Sequence, residues 1–556
     1  MPHPLFAKHQ ETIDRALQAI DQRGYWSPFT EMPSAKAYGE TANADGKAAY
    51  EALLQHKFPL EQSGATGEVG HEVSPFGPEL GVRYPRVEAD ALVATAKAAM
   101  ASPAWRQAGP EAWVGVAVEA LSRLNRRSFE MAYAVMHTTG QAFMMAFQAG
   151  GPHAQDRGLE AVAYAWQQMS RVPQTALWEK PQGKNPPLRM EKRFTIVPRG
   201  VGLVIGCSTF PNWNGYPGMF ASLATGNAVI VKPHPAVILP LALTVLVTRE
   251  VLSEQGYDPN LVQLAAHADG DDVPQQLALN PAIKLIDYTG SSAHGEWLER
   301  NARQAVVFAE KAGVNSIVID STEDFSGLAN NIAFSLALYS GQMCTAPQNI
   351  FVPQTGVETG NGKLSFEEVG AGLAAALHKL LGDAARAVEI LGTIQNAATA
   401  ARIEQAGKSH PVLAASETIQ HPQFPKARVR TPLLLRAQAG EEASFQREIF
   451  GPVAFLIATA STAESLALAG RGAREQGALT FSVYSTDREV LERARALAAE
   501  AGVSLSENLT GAVYVNQSAA YSDFHGTGAN PAANAALTDA AFVASRYRVV
   551  QSRAHV

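Results

Sequence analysis

Cysteine is almost missing from this chain. Among 556 residues there are two, Cys207 and Cys344. Two thiols cannot build a disulfide framework, and no CxxC or HExxH spacing points to a zinc site. An excess of one charge is missing too. The net charge is −7, from 45 Lys plus Arg against 52 Asp plus Glu. The signs are mixed along the chain, so no basic face marks a nucleic-acid binder. Long apolar runs are also lacking. The longest, Ala236–Val247, is well short of the roughly 20 residues a spanning helix needs. The opening MPHPLFAKHQETIDRAL lacks the basic-then-apolar layout of a signal peptide. Fourteen histidines are scattered and give no positive signal for a metal. These absences lead us to expect a cytoplasmic protein with reduced thiols, no metal, no nucleic-acid partner and no membrane contact.

What the chain does have is apolar mass. Hydrophobic residues make up 46% and charged residues 17%. The length exceeds one ordinary domain. Helical periodicity runs from Ala89 to about Ser170. A polar, Pro- and Lys-bearing segment follows, WEKPQGKNPPLRMEKRFTIVPRG, which reads as a protruding hairpin or arm. From Val201 short apolar runs alternate with helical stretches: VGLVIGC, AVIVKP, LVQLAAH, IKLIDYTG and AVVFAEKAG. A second alternating series begins near Asn315, with NSIVID, NIFVP, PVAFLIA, ALTFSVYS and GAVYVN. Short buried strands separated by helices imply parallel sheets covered on both faces. The expected fold class is α/β, in two α/β units. Cys344 falls early in the second. No role can be read for the first eighty or so residues.

Several local motifs carry little by themselves. GVGLVIG has its last glycine inside the apolar run, whereas a dinucleotide fingerprint needs its glycines at the helix entrance. GSSAHG lacks the second glycine of a nucleophile elbow, which would have to stand at His294. Gly290 permits close backbone approach, and Ser291 stands where a helix starts and free N–H groups face anions. Lys232 follows a strand whose carboxyl end should face a ligand crevice. REIFGPV sets Glu448 and Phe450 beside a tight turn. Glu310 ends an apolar run. Taken singly, Cys344 is more often buried filler than a nucleophile.

Together, GQMCTAP, REIFGPV, DYTGSSAHG, ATGNAVIVKP and FAEKAG occur in the order and spacing of the aldehyde dehydrogenase superfamily. The chain resembles that family from about Ala89 to Val550. CSTFP, KPHP and the long N-terminus are most similar to the phenylacetic acid degradation protein PaaN subgroup. The resemblance implies an N-terminal extension (1–88) and a cofactor-binding Rossmann-like domain (89–310) with an arm at about 170–199. It further implies a catalytic α/β domain (311–520) and a C-terminal tail (521–556). Arm and tail are expected to pair with a second subunit, giving a homodimer or homotetramer. Cys344 would attack an aldehyde to form a thiohemiacetal, and loss of hydride to NADP or NAD would leave a thioester. Glu310, 34 residues earlier, would activate the hydrolytic water. Lys232 would contact the adenosine ribose, Ser291 with Gly290 the pyrophosphate, Glu448 the nicotinamide ribose, and Phe450 the ring. The subgroup implies a ring-opened semialdehyde substrate from aromatic-acid breakdown, free or linked to coenzyme A.

The chain departs from the family pattern twice. The asparagine that normally helps hold the oxyanion is replaced, in register counted back from Gly226-Asn227, by Thr209. Asn212 and Asn214 follow out of register. The expectation is that Thr209 is the substitute donor, with Cys207 close to the same pocket. Pro235 stands where NAD-preferring relatives often carry glutamate, which removes a charge that would repel a 2′-phosphate and favours NADP. Two rivals stay open: a weakened protein that binds without turning over, and a coenzyme A-acylating dehydrogenase, which the retained Glu310 disfavours.

Overall fold

The computed structural model describes residues 3–311 and 313–556. The α/β expectation holds. The first of two main sheets has five strands, all parallel. Its spatial order is Val262–Leu264, Val229–Lys232, Val201–Ile205, Ile283–Thr289, Val306–Glu310. The strand that comes first in the chain is therefore central, and the connections leave it in both directions. Such a reversal opens a crevice at the carboxyl ends of the strands. Cys207, Lys232, Gly290 and Glu310 all lie at that edge. Val201–Ile205 is buried throughout, as a strand covered on both faces must be.

The second sheet has seven strands. Its order is Val412–Ala414, Leu433–Gln438, Val453–Thr459, Asn349–Pro353, Ser316–Ile319, Thr480–Tyr484, Ser504–Glu507. The pairs are parallel except at the short Val412–Ala414 edge. The arm is an antiparallel hairpin, Thr175–Gln182 with Asn185–Pro198. Tyr547–His555 adds a third strand to it from the same chain.

Residues 3–88 join the main core. Helix Gln10–Gln22 is amphipathic, and Ile13, Ala16 and Ile20 on its inner face share one apolar cluster with Leu121, Leu159 and Phe220. Phe6 lies 4.5 Å from Trp166, ring centre to ring centre. The tail is anchored by Arg546, which is wholly buried and forks onto Asp287 at 2.5 and 2.9 Å. No helix among the described residues is long and apolar enough to cross a membrane.

Candidate active site

Cys344 sits in a turn between the segment Leu338–Gly341 and the strand Asn349–Pro353. The approach to it is strained. Tyr339 (φ 49°) and Ser340 (φ 48°) are buried non-glycine residues in left-handed conformation, followed by Gly341 at 60°. Such a conformation costs ~1–3 kcal/mol per residue and persists only where the surroundings impose it. Here they do. The Tyr339 hydroxyl donates to the Thr139 carbonyl at 2.5 Å, and the Ser340 hydroxyl to the Leu391 carbonyl at 3.1 Å. A Cβ on Gly341 would come within 2.9 Å of the Gly451 carbonyl. Asn315 closes the turn by donating to the Cys344 carbonyl at 2.8 Å.

Glu310, at the end of its strand, is 1% exposed. Its Oε2 accepts from Asn214 Nδ2 at 2.8 Å, and its Oε1 lies 2.9 Å from His525 Nε2. Burial acts to raise the Glu310 pKa, but the charge and hydrogen bond of His525, with help from Cys344 and Arg157, outweigh it. The carboxyl is held below its ordinary range. Cys344 feels the opposite. Burial, and then the Glu310 carboxylate beside it, push the thiol well above its usual value. The resting pair is therefore a thiol facing a carboxylate, and the carboxylate is the group placed to take the thiol proton.

Cys344 opens on a cavity of about 470 Å³. Aromatic side chains wall it: Tyr25, Trp26 and Phe29 from the N-terminal segment, with Phe210, Trp213 and Phe334. Asp156, Glu31 and Glu389 also line it, and no lysine or arginine does. Glu31 is paired with His153 at 2.8 Å. Burial raises the pKa of Asp156 well above its ordinary value, towards a neutral acid.

The crevice edge carries the residues expected to bind a cofactor. Lys232 is buried, and no carboxylate pairs with it among the described residues. Burial lowers its pKa to about 8. An unpaired buried ammonium calls for an uncharged or anionic acceptor, which ribose hydroxyls supply. Gly290 leaves no room for a side chain, since a Cβ would meet the Tyr288 hydroxyl at 2.6 Å. Exposed Ser291 stands at the N-cap position of helix Ser292–Asn301 without a side-chain capping bond, and the helix begins at the crevice end of the sheet. Glu448 and Phe450 lie half-buried in a loop pinned by Gln348, which accepts from Ile449 N at 2.7 Å and donates to Arg447 O at 2.9 Å. Burial raises the Glu448 pKa to about 7, against the pull of Arg402. This donor set fits a nicotinamide dinucleotide.

The structure brings Cys344 and Glu310 together and leaves Thr209 aside. The Thr209 carbonyl accepts from Gln141 at 2.8 Å, and its N–H and hydroxyl turn to the Cys207 sulfur. Thr209 does not line the Cys344 cavity, whereas Asn214 does. Register alone pointed to Thr209. The helix Pro211–Ala224 starts two residues later, and its first turn swings Asn214 towards Glu310. Cys207 lies close by, its sulfur 3.6 Å from Asn214 Oδ1, and burial raises its pKa. His525 went unseen in the sequence. No motif frames it, and only the fold carries it 181 positions back to Cys344.

Comparison with known proteins gives the family. The sequence model described as the aldehyde dehydrogenase family matches residues 67–527. The crystal structure of an NAD-dependent aldehyde dehydrogenase from Burkholderia multivorans is 63% identical. It superposes with a TM-score of 0.99 over 100% of both chains. A mutant 1-pyrroline-5-carboxylate dehydrogenase from Thermus thermophilus is 20% identical and shares the fold. Its TM-score is 0.76, over 96% of this chain and 99% of that one. The 1-pyrroline-5-carboxylate dehydrogenase of Bacillus subtilis is 25% identical over 346 residues, 59% of this chain and 62% of that protein. The chain thus spans less than two thirds of the first curated relatives it matches, 64% and 62%.

Proposed function

The chain belongs to the aldehyde dehydrogenase family, and we propose that it oxidises an aldehyde to the carboxylic acid with NAD or NADP. The observation that carries this reading is the Cys344 thiol on the cavity wall with the Glu310 carboxylate beside it. As the thiol attacks the carbonyl, its proton passes to Glu310 and a thiohemiacetal forms on sulfur. Nicotinamide, when bound, supplies the hydride acceptor, and the product left on Cys344 is a thioester. Once Glu310 has released the thiol proton to solvent, its carboxylate takes a proton from water, whose oxygen attacks the thioester and releases the acid. Lys232, Gly290, Ser291, Glu448 and Phe450 are the residues that would hold the dinucleotide.

The Asn214 amide, rather than the Thr209 hydroxyl, is the side-chain donor for the oxyanion. One of its N–H bonds is committed to Glu310, and an amide carries two. Proline at 235 and the absence, among the described residues, of an acidic partner for Lys232 favour acceptance of a 2′-phosphate, so that NADP is used at least as well as NAD.

The cavity bears on the substrate. Walls rich in aromatics, without lysine or arginine, suit an aldehyde whose body is uncharged near the reacting end. A free carboxylate there would meet no cation and would face acidic neighbours. A ring-opened semialdehyde from aromatic-acid breakdown therefore fits better as its coenzyme A thioester than as the free acid. Leu177, Leu188, Val549 and Val550 stay exposed on the arm sheet, which supports a homodimer or homotetramer built through that sheet.

The test is to follow cofactor reduction with aliphatic, aromatic and carboxylate-bearing aldehydes, with and without coenzyme A, for wild type and Cys344→Ala. The reading predicts turnover of uncharged aldehydes independent of coenzyme A and lost in Cys344→Ala. No reduction with any aldehyde would favour a binding protein instead, and strict dependence on coenzyme A an acylating enzyme.

A further inference from the structure

Nucleophile and base face one difficulty together. Glu310 is buried and Cys344 half-buried, and in the resting state the negative charge sits on Glu310. Once the thiol proton has moved, that charge sits on sulfur. The N–H of Asn214 serves the first state, because its Nδ2 is committed to Glu310 Oε2. The second state needs a donor at Cys344.

His525 is in reach of both. Its Nε2 lies 2.9 Å from Glu310 Oε1 and 3.8 Å from Cys344 Sγ. The ring is 4% exposed and lies edge-on to Trp213 at 4.6 Å. Its other nitrogen, Nδ1, is buried and has no partner among the described residues. A proton on Nε2 lets the ring donate to the carboxylate. The opposite tautomer would bury an unused N–H and set a lone pair against Glu310.

We propose that His525 is a catalytic residue whose Nε2–H is shared between Glu310 and Cys344 and follows the negative charge from oxygen to sulfur. In the step itself the S–H bond breaks and an O–H bond forms on Glu310. The electron pair stays on sulfur, and the Nε2–H turns from Oε1 to Sγ. No proton leaves His525, and no outside reactant is needed. After the thioester has formed and Glu310 has released its proton to solvent, the Nε2–H turns back to the Glu310 carboxylate, which then serves the hydrolytic water. The proposal rests on Cys344 as nucleophile and Glu310 as base. The other ionisable groups whose charge reaches this pair are Arg157, Cys207 and Glu448.

The test reads the thiol directly and needs no substrate. In a Cys207→Ser background, Cys344 is alkylated with iodoacetamide across a pH series, and the rate is followed by intact mass. His525→Ala should slow alkylation at neutral pH roughly tenfold and move its midpoint up by about one unit, the equivalent of one lost donor. His525→Gln, which keeps an N–H at similar reach, should stay within about threefold of the parent. If alanine lowers the melting temperature, His525→Met, nearer in volume and without an N–H, takes its place with the same expectation. A wild-type rate and midpoint in the variants without a donor would overturn the proposal, as would glutamine reacting as slowly as alanine. Failure of aldehyde turnover with an intact alkylation pattern would instead count against the proposed function alone.

Discussion

Replacing Asn214 by alanine tests where the oxyanion is held. The Asn214 amide donates at 2.8 Å to a carboxylate that is 1% exposed. A hydrogen bond to a buried charge contributes ~1.5–3 kcal/mol, so Glu310 loses part of what keeps it ionised. An oxyanion donor lost from an acyl-transfer site costs ~2.7–4 kcal/mol, about 10²–10³ in kcat. On the proposed role the same amide performs both tasks, so the two losses are not additive, and the expected fall in kcat is about 100- to 1,000-fold. Thr209→Val removes only a hydroxyl turned to Cys207 and should leave kcat within about tenfold. Stopped-flow measurement of the first turnover separates the effects, because the burst reports hydride transfer and the steady state reports release of the acid. In Asn214→Ala both should fall. A large loss in Thr209→Val with a mild one in Asn214→Ala would refute the assignment and return the oxyanion to the residue in register.

Two further outcomes follow from buried charges. With its pKa lowered to about 8, Lys232 is charged below that pH and neutral above it. Dinucleotide affinity should therefore weaken as pH rises through 8. In Lys232→Arg, whose guanidinium does not deprotonate, the pH profile of Kd measured by fluorescence titration should be flat. Arg546→Ala leaves Asp287 buried without its partner. It should lower stability by ~3–5 kcal/mol, seen as a drop in thermal midpoint, and Asp287→Asn in the same chain should recover part of that loss.

Much of the fold could be read before the structure, for a physical reason. Strands buried on both faces, such as Val201–Ile205 and Val453–Thr459, must be short continuous apolar runs, and those runs stand out in the sequence. Cys344 and Glu310 were singled out by two motifs at a set separation, one in a turn and one at a strand end, and the fold sets them side by side. Other parts were not. His525 is 215 residues from Glu310, in a loop with no periodicity. Tyr25, Trp26 and Phe29 reach the cavity from a segment of bends between helices, where no pattern tells which way a ring points. Thr209 was chosen by register, but the side chain that arrives is decided by where the helix begins and how its first turn is oriented. The left-handed pair Tyr339–Ser340 has no signature either, because the buried contacts that impose it come from Thr139 and Leu391, distant in the chain.

The central claim is that the substrate's carbon becomes bonded to Cys344 and that Glu310 frees it. Glu310→Gln keeps the side chain's size and removes the base. Mixed with an aldehyde and NAD or NADP, this variant should form reduced cofactor more slowly than wild type, up to one equivalent per site, and then stall. Peptide mass analysis should find the acyl group on Cys344, and not on Cys207. Full steady-state turnover in Glu310→Gln, or an adduct on any residue other than Cys344, would contradict the account.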